Sequence, residues 1–303
     1  MESDVVTAHD YNPALTRRLL GATAEVLRSF ADPNILRHVA IVGGLVPTLL
    51  TDGYALPESG PHVGTSDLDL MVSVDLLRGG TADYYGSIIT GLEDLGLSPE
   101  EADDGTKRTW RWLGRVGSIL VTVELLTGGP HEGADPVQTA DGNAVAVANL
   151  GAGAQLGMLE IPAGDLVALD AHVVHRDAET TDGLYRDYPF PIAGLVSWLV
   201  LKSLALRNRR KDKDPYDIVW TLQTLGPDQA TRTIAESPIL ADAVARREAL
   251  EQLTILRADF ADPNRPGAVR YSRFLQSDDS PILRRDASEA VVRALDPLLP
   301  ETA

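Results

Sequence analysis

The stretch 65–74, TSDLDLMVSV, alternates with a period of two. Asp67, Asp69, Met71 and Ser73 fall on one side of it, and Leu68, Leu70, Val72 and Val74 on the other. That pattern is the signature of a strand with its aliphatic side turned into a core and its other side carrying two carboxylates. A helix would scatter both sets around its circumference, so the alternation commits this part of the chain to a sheet.

The surrounding sequence supplies partners for such a strand. HVAIVGG (38–44) is a short apolar run ending in two glycines, which predicts a buried strand and a tight turn, and LVPTLLT (45–51) predicts a short helix after it. Apolar spacing near 3.6 predicts helices over 13–31, with Pro13 in the first turn, and over 81–96. DGYALPESGPHVG (52–64) and SPEEADDG (98–105) read as a loop and a polar turn. KRTWRWL (107–113) and SILVTVELL (118–126), joined by GRVG, predict a hairpin. Strand signals are weak through the small-residue stretch 127–160 and return at DAHVVHRDAE (170–179). From Pro191 the pattern turns helical, with IAGLVSWLVLKSLALRNR (192–209) and DPYDIVWTLQTLG (214–226) the clearest segments. The expectation is an α+β fold: a mixed sheet with helices over 1–186, and a mainly helical region over 187–303.

Composition narrows the chemistry. The 303 residues contain no cysteine, which excludes disulfides, zinc–thiolate sites and thiol nucleophiles and suits a reducing cytoplasm. MESDVVTAHDYNPAL has neither a basic nor an apolar leader segment, so no signal peptide is expected. IAGLVSWLVLKSLAL is interrupted by Lys202 and is too short to span a bilayer, so no membrane partner is expected. A net charge of −17 opposes non-specific binding to nucleic acid and suits a cationic substrate, although its simplest consequence is solubility.

An acid-x-acid triplet means little by itself in a chain with 44 acids. Strand geometry gives this one meaning, because Asp67 and Asp69 then point the same way and can bridge a divalent cation. Mg²⁺ favours a few carboxylates completed by waters and substrate phosphates. Glu124 in VTVELL is the candidate third acid, opposite in facing to Val121, Val123 and Leu125; a solvated face is the alternative. Gly43 and Gly44 let the backbone approach a ligand closely and direct N–H groups at phosphate oxygens.

In this order, IVGG, TSDLDL and VELL resemble the polymerase-β-like nucleotidyltransferases. Lys202 in LVLKSLALRNR and the Lys213–Asp214–Asp217 pattern in KDPYDIVWTL extend the resemblance to the AbiEii-type family, the toxins of a type IV toxin–antitoxin arrangement. The resemblance covers about residues 38–222. It implies a nucleotidyltransferase fold over 1–186 and transfer of a nucleotide from a nucleoside triphosphate to an acceptor hydroxyl, with Mg²⁺, or Mn²⁺ in its place, as cofactor. Asp67, Asp69 and Glu124 would be catalytic metal ligands. Gly43, Gly44, Thr65, Ser66, Lys202, Lys213, Asp214 and Asp217 would bind the nucleotide, Lys202 also being catalytic. The implied acceptor is RNA, the 3′ end of tRNA, and the implied partner a cognate antitoxin.

Two features depart from the family. The loop from Gly44 to Asp67 is long, and the third acid is Glu where Asp is commoner. A small cationic acceptor of the aminoglycoside type, a protein hydroxyl, and an inactive nucleotide- or partner-binding module are the competing readings.

Several residues carry a second reading. Lys202 can equally snorkel from an amphipathic helix. Asp214 and Asp217, three apart on one helix face, can hold Lys202 or Lys213 in place, or Asp214 can cap a helix before Pro215. The segment 202–213 carries six of the 27 basic residues, facing phosphate or completing a helix C-terminus. His62 is a candidate phosphate contact. His172 and His175, three apart on a strand, point to opposite faces and make no metal pair. The four tryptophans read as core.

Overall fold

In the computed structural model, residues 6–30, 33–51, 60–73, 82–129, 135–138, 144–150, 156–181, 183–209, 211–275 and 280–299 are described. Val74, Arg210, residues 52–59 and parts of 127–160 lie outside them. In chain order the first elements are α1 (Pro13–Ser29), α2 (Pro33–Leu36), β1 (Val39–Val42), α3 (Val46–Thr51), β2 (Asp67–Val72) and α4 (Ala82–Asp94). Then come β3 (Ser98–Glu101), β4 (Lys107–Val116), β5 (Ile119–Gly128), β6 (Asp135–Gln138), β7 (Ala144–Leu150), β8 (Leu156–Ile161), α5 (Val167–Asp170), β9 (His172–Glu179) and β10 (Tyr185–Ile192). Helices follow to the end of the described chain: α6 (Leu195–Asn208), α7 (Lys213–Leu225), α8 (Pro227–Ala235), α9 (Ala243–Asp259), α10 (Pro266–Leu275) and α11 (Pro281–Leu295). The fold is α+β, as the sequence leads one to expect.

The strands form one mixed sheet in the order β6-β7-β8-β5-β2-β1-β10-β9, with β4 joined to β5 and β3 to β4. β2 is central, antiparallel to β1 and parallel to β5. β5 divides its other edge: Ile119–Glu124 pair with β4, and Leu126–Gly128 pair with β8. Aliphatic residues explain the interior position of these strands, since every residue of Val39–Val42 is buried, and Leu68, Leu70, Val121, Val123 and Leu125 are 0% exposed.

Two expectations need correction. SPEE, read as part of a polar turn, is the edge strand β3, paired with β4 through a bulge at Pro99/Glu100. Residues 187–192, assigned to the helical region, belong to β10, which pairs with β9 along its length and with β1 at Ile192.

The chain forms two compact units. One, Ala14–Val46 with Thr65–Gly194, holds the sheet; the other, Met1–Pro13 with Pro47–Gly64 and Leu195–Ala303, holds α6–α11. The change of unit near residue 195 replaces the expected change at 187, and the helical unit also recruits residues 47–64. Within it α6 packs on α9, α7 on α10, and α11 on both α8 and α10. α6 is largely apolar and buries nine of its residues, with Ser197, Lys202 and Ser203 the polar ones among them. Among the described residues no helix is long and apolar enough to cross a membrane.

Candidate functional site

The site begins with register. Asp69 lies opposite Val42 of β1 on one side and Glu124 of β5 on the other, and Asp67 lies opposite Thr122. Residues paired across strands share a face, so Asp67, Asp69 and Glu124 stand on one side of the sheet while Leu68, Leu70, Val123 and Leu125 fill the other. All three acids are partly buried. Thr65 Oγ1 accepts the Asp67 N–H at 3.5 Å, and Ser66 is exposed beside it.

Gly43 makes room for Asp69. Its φ is +71°, in the left-handed region that side chains disfavour. A Cβ built there would stand 1.7 Å from Asp69 Oδ2 and 2.7 Å from its Cγ. The carboxylate of Asp69 therefore occupies the space a side chain at position 43 would fill. Gly43–Leu45 then form a single 3₁₀ turn that leads into α3, with Gly44 buried.

Sequence reasoning missed Arg111. In the β4–β5 hairpin Arg111 is paired with Glu124, and its Nη1 donates to Glu124 Oε1. Arg111 Nε lies 3.5 Å from Glu100 Oε1, and Arg108 Nη1 donates to Glu100 Oε2 at 2.6 Å. The signal that could have found Arg111 is the turn: Gly117 and Ser118 close the hairpin, and counting back from Val116–Ile119 brings Arg111 opposite Glu124.

Asp67, Asp69 and Glu124 offer hard oxygen ligands from two adjacent strands on one face, a donor set that suits Mg²⁺. Among the described residues, however, no three His, Asp or Glu side chains are gathered closely enough to hold an ion. The cation that meets Glu124 here is the Arg111 guanidinium.

The helical unit holds the remaining candidates, joined in a buried ionic network. Lys202, 4% exposed on α6, donates to Asp214 Oδ1 at 2.9 Å and to Asp217 Oδ2 at 2.6 Å. Arg209 forks onto Asp214 through Nε and Nη2, each at 2.9 Å, and Lys213 reaches Asp217 Oδ1 at 2.7 Å. The reading of Asp214 and Asp217 as holders of Lys202 and Lys213 matches this geometry. Helix capping by Asp214 does not, because its oxygens face cations. Burial opposes the charge on both acids, yet the adjacent cations outweigh it and hold both well below the usual carboxylate range. Burial likewise opposes the Lys202 charge, and Asp214 and Asp217 more than compensate, raising it; for Lys213 burial prevails and lowers it.

His62 belongs to this network. Its Nε2 lies 2.9 Å from Asp217 Oδ1, while its Nδ1 accepts the Gly64 N–H at 3.0 Å. Accepting at Nδ1 leaves Nε2 as the protonated nitrogen, so the ring is neutral and donates to Asp217. Desolvation pulls its pKa to about 4 against the opposing pull of Asp217. The ring sits between Tyr216 and Trp220, whose polar atoms bond to Val63 N–H and Gly60 O.

The basic segment is largely answered inside its own unit. Lys202, Arg209 and Lys213 face the carboxylates above, and Arg207 Nε lies 3.6 Å from Asp259. All four tryptophans are core, at 9% exposure or less. His172 and His175 make separate contacts, the first with Asp170 O and the second with Asp187. No protein-family model matches the chain, and comparison with the curated proteins finds no match.

Proposed function

We propose that this chain transfers a nucleotide from a nucleoside triphosphate to an acceptor hydroxyl, with a divalent cation held by Asp67 and Asp69. One observation carries the reading: Asp69 fills the space left by Gly43 at a strand-to-helix turn while standing in register with Glu124 on the next parallel strand. A carboxylate held against a bare backbone turn, with a second carboxylate two residues before it on the same face, suits a phosphate-bound cation better than it suits solvent. Bound there, Mg²⁺ would neutralise phosphate charge and polarise the reacting oxygens. The chain's own task is positioning: Asp67 and Asp69 orient the phosphates, Gly43 leaves room for the Asp69 carboxylate, and Thr65 steadies the start of β2 through the Asp67 N–H.

RNA is the acceptor implied by the sequence resemblance, and the net charge of −17 favours a small cationic acceptor instead. The Arg111–Glu124 ion pair supports a second reading, a module that binds nucleotide without transfer, because it occupies the third carboxylate. The experiment combines purified protein, Mg²⁺, each labelled triphosphate and either total tRNA or an aminoglycoside. Label entering tRNA and disappearing with Asp69→Asn supports RNA transfer, and label entering only the aminoglycoside supports the cationic acceptor. Triphosphate binding with no transfer to either supports the binding module. Neither binding nor transfer sinks all three.

A further inference from the structure

We infer that Arg111 is a built-in counter-cation that competes with a divalent ion for Glu124. The inference rests on the metal-binding reading of Asp67 and Asp69 and adds a control to it. Glu124 is the acid in register with Asp69, and so the one best placed to join Asp67 and Asp69 around a shared cation. Its carboxylate is instead engaged by a guanidinium from the opposite strand of its own hairpin. The three side chains involved are partly buried, at 28% exposure for Arg111, 23% for Glu124 and 21% for Glu100, so the pairing is neither freely solvated nor locked in a core.

Glu100 supplies the means of exchange. It lies 3.5 Å from Arg111 Nε, and that nitrogen makes no hydrogen bond in the present arrangement. A guanidinium has five N–H donors in a fixed fork, so Arg111 can give up Glu124 and complete its bonding to Glu100 without losing a carboxylate partner. Arg108 already shares Glu100, which holds that acid in place. The exchange moves no proton and breaks no covalent bond. With Arg111 on it, the Glu124 carboxylate is occupied and screened by the guanidinium; with Arg111 on Glu100, Glu124 becomes a third anionic ligand. The consequence is an ion affinity set below what the three carboxylates alone would give.

The test is Mn²⁺ binding to the full chain without nucleotide, followed by the free-ion electron paramagnetic resonance signal or by titration calorimetry. Arg111→Gln is expected to tighten Mn²⁺ binding about fivefold, the scale of a partly exposed ion pair. In a Glu124→Gln background the same substitution is expected to change nothing. Unchanged or weaker binding by Arg111→Gln, or a gain that persists without Glu124, overturns the inference. Circular dichroism melts establish that each variant folds. Should Arg111→Gln not fold, Glu100→Gln tests the same point in the opposite direction: it confines Arg111 to Glu124 and is expected to weaken binding, and unaltered binding overturns the inference. The failures are separable, since wild-type binding with no effect of Arg111 sinks only the competition. No Mn²⁺ binding by any form also removes the metal reading of Asp67 and Asp69.

Discussion

Position 43 and the Asp69 carboxylate share one space, so a single methyl group measures how firmly the acid is held. Gly43→Ala adds two costs: a side chain at φ +71° and a Cβ 1.7 Å from Asp69 Oδ2. The first alone is typically of order 1 kcal/mol, and the overlap must be relieved by moving Asp69 or the turn. Gly60 provides the control, because its φ of +83° carries the same backbone penalty and nothing lies within 4 Å of its Cβ. Gly43→Ala is therefore expected to lower the melting temperature more than Gly60→Ala and to abolish label transfer along with the placement of Asp69. Equal losses for the two variants would show that Asp69 is not seated against the turn. This acid was legible in the sequence as half of an alternating pair. The depth of its seat was not, because it depends on a glycine 26 residues earlier whose only sequence signal is that it is a glycine.

Between elements, the α6–α7 pair shows which partner in a buried ionic network matters most. Asp217 meets Lys202, Lys213 and His62, whereas Lys202 meets two acids that each keep another cation, Arg209 on Asp214 and Lys213 on Asp217. Asp217→Asn therefore strands Lys213 and weakens the hold on Lys202, a loss of about 3–5 kcal/mol for an uncompensated buried charge. Lys202→Met leaves no acid without a cation and is expected to cost clearly less in chemical denaturation. A larger loss for Lys202→Met would refute this ordering. If Lys202 also serves the triphosphate, the methionine variant will remain folded while losing transfer. The helical periodicity and the spacing of Asp214 and Asp217 made the α7 part of this network readable in advance. The His62 bond to Asp217 was not legible, because that partner lies 155 residues away. β10 escaped for a different reason: the helical pattern reads from Pro191 and the helical region from 187, and a strand containing Pro189 and Pro191 gives a weak signal. They are two apart and so turn their missing donors to the same side, and before Ile192 the strand is paired only with β9. β3 likewise tolerates Pro99 at the sheet edge, where one side of the ladder is open. Arg111 was lost through a turn placed at GRVG instead of Gly117–Ser118, which shifted the hairpin register.

The whole molecule interleaves its chain, since the helical unit takes residues 47–64 from between two segments of the sheet unit. Its stability should therefore respond to the protonation of His62, a residue far in sequence from the helices that enclose it. The His62 pKa is lowered from 6.5 to about 4 because burial disfavours the charged ring. Between those values the unfolded chain takes up a proton that the folded chain refuses, so stability is full above pH 6.5 and falls as the pH drops toward 4. The shift corresponds to a loss of about 3 kcal/mol across that window. Asp214 and Asp217 act in the same direction but lower, because their depressed pKa values withhold protons that the unfolded chain binds below the ordinary carboxylate range. The net charge of −17 at pH 7 and the isoelectric point near 4.7 add a separate effect: approaching pH 4.7 removes the repulsion that keeps molecules apart. Melting curves should therefore be recorded on dilute protein from pH 8 to 4, for the wild type and for His62→Gln. The glutamine amide can donate and accept but does not titrate, so the variant should begin less stable at neutral pH and lose less on acidification. The two curves should converge between pH 6.5 and 4. Parallel curves would mean that His62 titrates equally in both states, and that the Gly64–His62–Asp217 chain of hydrogen bonds does not hold the ring neutral.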